Sequence, residues 1–435
     1  MKKTKTQNIL SSPVIAALTY LVLGLLLLKY YHYIIAKDEV NYISIAQKIA
    51  AGDFLNAPNA YWNPLLPSLL AVLIVLGVPA ALGAKLLCLG IGVFALFSVR
   101  SLSYALEMSE GIRKLLLFLL VPILLYFSLA FFTPDLLLVA LLSLYFSIIL
   151  TRNYVELSYA GLLCGALGAL SYLAKPYAFS FFLVHFTLFN ALYYFRNNQK
   201  ATRRIVLRQF AFGLVVFFCV TAGWVYLLHR KYHEVTIGIS ASYNYKIRSA
   251  DLQPLGPPST YSGLVPPRDD KAYSIWEEPY YFYKRANSWS PLDSQRSFRQ
   301  QLKLILDSVE NIAIFHLKFS VFSFTIILAA ILLCINATRK STSHPELLFM
   351  LLTFGLYSAG YALIYSEERY MWPMQILILL MGGHVLHLLL QTGFITDRVK
   401  QVLILLFSAS FMIHPFLELA TRANKGRNVY LIVSL

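Results

Sequence analysis

Charged residues and cysteines are both scarce in this chain of 435 residues. Asp, Glu, Lys and Arg make up only 13% of it, about half the share of a soluble domain, which excludes a soluble globular protein. Segments of alternating polarity, which would indicate a membrane β-barrel, are also missing. The four cysteines all lie within apolar segments and lack metal-ligand spacing, so they predict neither a disulfide nor a cysteine-based metal site. They are Cys88, Cys164, Cys219 and Cys334.

Apolar residues are abundant, at 58% of the chain, and many form runs near twenty residues long. Such runs cross a hydrocarbon core of about 30 Å, so we predict an all-α polytopic membrane protein with about eleven transmembrane helices. The predicted spans are about 9–36, 80–99, 115–131, 136–150, 157–174, 177–195, 210–228, 312–335, 347–365, 371–390 and 402–414. The periodicity of 40–54 predicts a short interfacial helix, and 65–79 is short enough to be re-entrant or interfacial.

Basic residues outnumber acidic ones by 37 to 21, but much of this excess lies in short loops between apolar runs. That distribution is the positive-inside pattern and does not indicate nucleic-acid binding. It predicts a cytoplasmic N-terminus and an uncleaved first span. The short soluble parts are typical of a prokaryote, so we expect the protein in the plasma (inner) membrane. The basic loop residues include Arg100, Arg113, Lys114, Arg152, Arg196, Lys200, Arg203, Arg204, Arg208, Arg339, Lys340, Arg398 and Lys400.

The same topology divides the chain into three predicted parts. Residues 1–228 form a transmembrane core whose first outer loop is 37–64. Residues 229–310 form one large extracytoplasmic loop, which we expect to be an ordered lid because it is rich in proline and tyrosine but carries no long charged tract. Residues 311–435 form the C-terminal transmembrane helices.

Four polar clusters lie at the predicted outer ends of spans, opposite the basic loops. They are Asp38-Glu39, Asp135, Lys175 and Glu367-Glu368-Arg369. Each has an ordinary explanation, because an Asp can cap a helix, a Lys can extend to the headgroups, and three charges can form a solvated turn. Charges at membrane depth are nonetheless costly and usually functional, and here they share one side.

Together these residues predict chemistry at the outer membrane surface. A carboxylate such as Asp38, with Tyr42 on the same helical face, can act as a general base. Lys175 and Arg369 can stabilise an anionic leaving group such as a phosphate. The alternatives are a multi-span transporter or lipid flippase, which would carry charges near the middle of spans, and a structural membrane subunit.

The ordered set of motifs resembles the bacterial branch of the GT-C glycosyltransferase superfamily. The motifs are Asp38-Glu39, Thr133-Pro134-Asp135, Leu173-Ala174-Lys175-Pro176 and Glu368-Arg369-Tyr370. The resemblance runs from about residue 38 to 373 and includes the protein O-mannosyltransferases and the aminoarabinose transferases that modify lipid A. It departs in the second acid of the first loop, which is Glu where some relatives have Asp. No large C-terminal soluble domain follows the last span, so the acceptor cannot be inherited from the relatives.

The resemblance implies transfer of a hexosyl or pentosyl group, with inversion, from a polyprenyl-phosphate donor to an acceptor on the extracytoplasmic face of the cell envelope. The acceptor would be a lipid, a glycan or a protein. The resemblance implies catalytic roles for Asp38, Glu39 and Asp135, with Asp38 as the general base. It implies phosphate binding by Lys175 and Arg369, and substrate contacts by Tyr42, Trp276, Glu277 and Glu368. No cofactor is required, and metal dependence stays open because Asp38 with Glu39 could bind a divalent ion.

Overall fold

The computed structural model describes residues 12–31, 33–151, 153–248, 266–285, 289–340, 345–391 and 395–433. These residues form sixteen α-helices and a 3₁₀ turn, Glu368–Met371, with no strand among them. The helices are α1 Ser12–Tyr31, α2 Lys37–Ala50, α3 Leu65–Val75, α4 Ala80–Ala105, α5 Glu110–Ala130, α6 Pro134–Ile149, α7 Ala160–Ala174, α8 Tyr177–Arg196, α9 Lys200–Tyr232, α10 Ser240–Lys246, α11 Tyr280–Arg285, α12 Gln295–Phe319, α13 Ser323–Lys340, α14 Pro345–Ile364, α15 Trp372–Leu390 and α16 Asp397–Val433.

The prediction of an all-α polytopic membrane protein is confirmed. Among the described helices, eight are long and apolar enough to cross a membrane: α1, α4, α5, α8, α9, α14, α15 with its preceding 3₁₀ turn, and α16. The predicted count of about eleven is higher by three, because it also included the stretch 312–335 and the helices α6 and α7, which have only 16 and 15 residues. A helix of that length extends about 24 Å, less than the hydrocarbon core.

One predicted span, 312–335, is wrong as a single straight helix. The chain breaks between α12 and α13, and the two helix axes meet at 101°. Serine hydroxyls occupy the break: Ser323 donates to the His316 carbonyl at 2.7 Å, and Ser320 accepts from the Phe322 N–H at 3.2 Å. In a continuous helix these backbone groups would pair within the helix. At the bend the serine side chains provide hydrogen bonds to them instead.

The first outer loop agrees with its prediction in outline. Helix α2 is present but begins at Lys37, so Asp38 and Glu39 lie in its first turn. It ends at Ala50, and Gly52 two residues later has a φ of 79°, a left-handed conformation that favours glycine. Helix α3 has 11 residues and is too short to span, as predicted.

The bundle is packed around α5 and α15, the most buried of the candidate spans. Helices α7 and α9 approach closely because Gly165 faces the backbone of Gly213, and a Cβ at Gly165 would collide with that carbonyl. Small residues permit such close packing between membrane helices. The helix pairing places the N-termini of α2, α6 and α8 together at one end of the bundle.

Three of the basic residues, Arg100, Arg113 and Arg196, lie at the other end of the bundle. Arg100 near the end of α4 and Arg113 in the first turns of α5 both contact the ring of Tyr104, at 4.9 and 3.9 Å from its centroid. Arg196 ends α8, whose first turn is at the opposite, polar end. The separation of polar clusters from basic loops is therefore a property of the folded chain. The three-part division of the chain stays a prediction.

Candidate active site

A cleft opens at the end of the bundle where the polar clusters meet. Its open volume is ≈ 700 Å³, including the part that is open to solvent. Four charged side chains line it: Asp38, Asp135, Lys175 and Arg369. Six tyrosines complete much of the wall: Tyr42, Tyr61, Tyr177, Tyr361, Tyr365 and Tyr370. The cleft thus combines a few charges with many aromatic rings, a composition typical of a binding site for an organic ligand.

Arg369 connects the carboxylates of the cleft. Its Nη2 donates to Asp38 Oδ2 at 2.6 Å, and its Nε donates to Glu367 Oε2 at 2.8 Å. The same Nε lies 3.8 Å from Asp135 Oδ2. Guanidinium groups are suited to this role because their fixed fork of donors reaches several planar anions at once.

Lys175 and Asp135 form the second ion pair of the cleft. Asp135 Oδ1 accepts from Lys175 Nζ, and Asp135 Oδ2 accepts from the Thr133 hydroxyl at 2.8 Å. The ammonium group also lies 3.4 Å from the ring centroid of Tyr370. Burial lowers the pKa of Lys175, while the neighbouring Asp135 opposes that shift.

Helix capping does not account for the two aspartates. Asp38 and Asp135 are the second residues of α2 and α6. The N-cap residues of these helices are Ala36 and Thr133, and neither N-cap makes a side-chain cap hydrogen bond. Both carboxylates gain from the positive end of the helix dipole, but both point to cations of other elements. Their contacts are therefore those of the cleft rather than of their own helices.

The large loop lines part of the cleft with Ser240, Ala241 and Asn244, and it also places Trp276 against Asp38. Trp276 Nε1 donates to Asp38 Oδ1 at 3.3 Å, so each oxygen of Asp38 accepts a bond from a different part of the chain. Trp276 is held in turn by Trp62, which donates to its carbonyl at 3.1 Å, and by ring contacts with Tyr61 and Tyr243. Burial raises the pKa of Tyr61 well above its ordinary value.

The side chain of Glu277 faces α2 rather than the cleft. Its carboxylate accepts from Lys48, from the Ser44 hydroxyl at 3.0 Å and from the Tyr273 N–H at 2.8 Å. The Asn59 side chain donates to its carbonyl at 2.6 Å. These bonds hold the loop on α2 and keep the preceding Trp276 beside Asp38.

Glu278 provides a second attachment of the same loop. It accepts from Lys231 and from the Tyr232 hydroxyl, both at 2.5 Å. Burial raises the pKa of Glu278, although Lys231 acts in the opposite direction. Lys231 also donates to the carbonyls of Asn56 and Pro58, so the end of α9, the first outer loop and the large loop meet at one ammonium group.

Besides Glu277, two further predicted site residues point away from the cleft. Glu39 faces the interior of the bundle, where its Oε2 lies 3.2 Å from Lys85 Nζ. Glu368 Oε1 accepts from the Tyr126 hydroxyl at 3.2 Å and lies 2.9 Å from His414 Nε2. Each is the sequence neighbour of a cleft residue, Asp38 or Arg369, and attaches that segment to the bundle.

Tyr42 does line the cleft, as its spacing from Asp38 predicted. The ring is buried and packs edge-on against Trp62 and Phe132, with centroids 5.1 and 6.3 Å apart. Tyr42 thus joins the floor of the cleft to the first outer loop and to the start of α6.

Sequence reasoning missed several residues of the site. Lys85 is a lone cation within an apolar run, which alone marks it for attention. Tyr361 and Tyr365 have the four-residue spacing of one helical face, a signal that was present but weak. Glu367 belongs to the predicted cluster Glu367-Glu368-Arg369, but the sequence analysis gave it no role as the partner of Arg369.

The hypothesis that Asp38 and Glu39 bind a divalent ion together does not fit this geometry. Asp38 is paired with Arg369 and Glu39 with Lys85. Within the described part of the chain, no three His, Cys, Asp or Glu residues are grouped in a way that could hold a metal ion.

Comparison with known proteins gives matches at the level of structure only. The sequence matches no protein-family model and no curated protein sequence. The oligosaccharyltransferase of Archaeoglobus fulgidus, solved in complex with Zn and sulfate, matches with a TM-score of 0.55 and 14% identity over 95% of this chain. ArnT of Cupriavidus metallidurans bound to undecaprenyl phosphate matches with a TM-score of 0.55 and 14% identity over 96% of this chain. The apo form of the same ArnT matches with a TM-score of 0.54 and 14% identity over 96% of this chain.

These matches show that this chain shares the fold of the solved oligosaccharyltransferase and ArnT structures. This chain spans about half of the archaeal enzyme, 53% of its length, and 75% and 77% of the two ArnT chains. At 14% identity the likeness concerns the arrangement of helices and not the identity of substrates.

Proposed function

We propose that this protein is a membrane glycosyltransferase that transfers a sugar from a polyprenyl-phosphate donor to an acceptor. The observation that carries the proposal is the cleft in which Asp38 accepts from Arg369 at 2.6 Å, with Lys175 and Asp135 beside them. The GT-C fold supports it, as does the undecaprenyl phosphate bound to the ArnT match.

The two cations suit the phosphate of such a donor. The described residues supply acceptors for Nε and one N–H of Nη2 in Arg369, so its remaining donors can reach a phosphate. Lys175 likewise pairs with one carboxylate, and its other N–H groups can reach the ligand. Fixed cations of this kind stabilise the charge that develops as the phosphate departs.

Asp38 is the proposed general base. A donor phosphate competes with Asp38 for Arg369, and this frees Oδ2 to accept the proton of an acceptor hydroxyl or amine. The acceptor attacks the anomeric carbon while the bond from that carbon to the phosphate oxygen breaks, and the electron pair leaves with the phosphate. Attack from the face opposite the phosphate gives inversion.

Asp135, Trp276 and Glu39 have supporting roles in this proposal. Asp135 holds Lys175, and Trp276 orients Asp38 through its indole N–H. Glu39 contacts no cleft residue and acts by fixing the start of α2 against Lys85. Glu277 acts indirectly too, because it holds the loop that carries Trp276.

We further propose that the cleft opens on the extracytoplasmic face of the plasma (inner) membrane. The support is the position of the basic loops at the opposite end of the bundle, which the positive-inside rule assigns to the cytoplasm. The charges of the cleft also lie at helix ends, whereas a transporter or flippase would need them near the middle of spans.

The test is a transfer assay with the purified protein in lipid nanodiscs. Polyprenyl-phosphate sugars serve as donors and a membrane extract as the source of acceptors. Asp38→Asn should lower the transfer rate by about 10²–10⁴-fold, because the amide cannot take a proton. Asp397→Asn is the matched control, since Asp397 is 93% exposed at the start of α16, and its rate should be unchanged. Full activity in Asp38→Asn would show that another group is the base.

A further inference from the structure

Helix α12 differs from the spans in composition and direction. Its axis meets that of α13 at 101°, although only Ser320, Val321 and Phe322 separate them. With 25 residues it is about 37 Å long. Helix α13 is apolar, and α12 and α13 together are long enough to form a broken span. Because the two axes are nearly perpendicular, α12 runs along the membrane surface where α13 runs into the membrane.

One face of α12 packs on the protein. Its buried residues recur every three or four positions: Ser297, Gln301, Leu304, Ser308, Ile312, His316 and Phe319. This face bonds to the segment around Arg369. Gln301 donates to the Leu363 carbonyl at 3.2 Å, and the Ser308 carbonyl accepts from the Ser366 hydroxyl at 3.4 Å.

A second face of α12 is apolar and exposed. Phe298, Leu302, Leu306, Val309 and Leu317 form this stripe, with exposed fractions of 50%, 46%, 68%, 50% and 45%. At about 100° per residue the stripe covers roughly 100° of the circumference and borders the buried face. An apolar stripe of this length on a water-facing helix would be unfavourable unless something covers it.

The third face is charged and exposed. Arg296, Arg299, Lys303, Asp307 and Glu310 all lie on it, next to the apolar stripe and across from the buried face. Cations predominate in the first half of the helix, where they can meet anionic headgroups. A helix with one protein face, one apolar face and one charged face fits the boundary between a bilayer and water.

We propose that α12 lies in the plane of the membrane, with its apolar stripe in the acyl chains and its charged face toward the headgroups and water. The occupant of the stripe is the bilayer itself, because the exposed apolar surface continues directly onto α13. Val321, Phe324 and Leu328 are 68%, 44% and 56% exposed there. The lipid that surrounds α13 therefore extends along α12.

This placement fixes the depth of the cleft. Through Gln301 and Ser308, α12 supports the chain on both sides of Tyr365 and the 3₁₀ turn that carries Arg369. Arg369 then lies near headgroup level. The inference concerns membrane position and does not depend on the proposed transfer reaction.

The experiment is a nitroxide scan of α12 in lipid nanodiscs. Single cysteines replace Leu302, Leu306 and Val309 on the apolar stripe, and Arg299, Lys303 and Glu310 on the charged face. The background carries Cys219→Ser and Cys334→Ser, since the other two native cysteines are buried. Collision of each label is measured with oxygen, which concentrates in the acyl region, and with a water-soluble nickel chelate.

We expect the ratio of oxygen to nickel collisions to be higher at all three stripe positions than at all three charged positions, and thus to follow the helical period. Equal nickel access on both faces would place α12 in water and overturn the inference. Equal oxygen access on both faces would place it across the bilayer and overturn it too. Low access to both reagents along the stripe would show that a protein partner covers it, which also contradicts the proposal.

Discussion

The buried pair of Glu39 and Lys85 gives the most decisive test of how the cleft is held. Both side chains are only 1% exposed, and Oε2 lies 3.2 Å from Nζ. Glu39 Oε1 has no hydrogen-bond partner among the described residues. Lys85→Met keeps the length of the side chain but leaves the carboxylate of Glu39 without a cation in the interior of the bundle.

The expected loss of stability is large. Removing one partner of a buried ion pair costs about 3–5 kcal/mol, because the remaining charge stays desolvated. The whole free energy of unfolding of a protein is about 5–15 kcal/mol. At roughly 2 °C per kcal/mol, Lys85→Met should lower Tm by about 6–10 °C. Adding Glu39→Gln removes the isolated charge, so the double variant should recover part of this loss.

The assay is thermal unfolding in detergent, followed by the fraction of protein that still elutes as a monodisperse peak. Lys284→Met is the matched control, because its pair with Glu234 has 41% and 49% exposed side chains and should not change Tm measurably. If Lys85→Met unfolds at the wild-type temperature, or if the double variant is no more stable than Lys85→Met alone, the pair does not hold α2 in the way we argue.

Two further predictions concern the cleft. Transfer activity should fall as pH rises through the lowered pKa of Lys175, because deprotonation removes the charge that binds phosphate. Lys175→Arg should move that fall to higher pH, and identical alkaline limits in rate–pH profiles would contradict this role. Trp276→Phe keeps the ring but removes the bond to Asp38, so kcat/KM should drop about tenfold. Trp289→Phe, which loses only a bond to the Tyr245 carbonyl, is the control, and an equal drop in both variants would contradict the assignment.

Much of the fold follows from local properties of the sequence. Apolar runs predicted most spans because a helix must hide its backbone in lipid, and this requirement acts on each run separately. The positions of Lys and Arg predicted which helix ends lie together, since the charge bias is counted loop by loop. The short α3 was predicted from the length of its apolar run, and the helix α2 from the periodicity of 40–54. The break between α12 and α13 was not, because the apolar stretch 312–335 runs through it and its cause lies in serine bonds.

The candidate site was predicted only in part. The sequence alone determined which residues carry charge at the ends of spans, because a charge at membrane depth is costly wherever the chain goes afterwards. Only the tertiary structure decided their partners: Asp38 meets Arg369 across 331 residues and Trp276 across 238. It also turned Glu39 and Glu368 away from the cleft, although each is next to a cleft residue in sequence. The physical reason is that an ion pair depends on the distance between two side chains, and helix packing sets that distance.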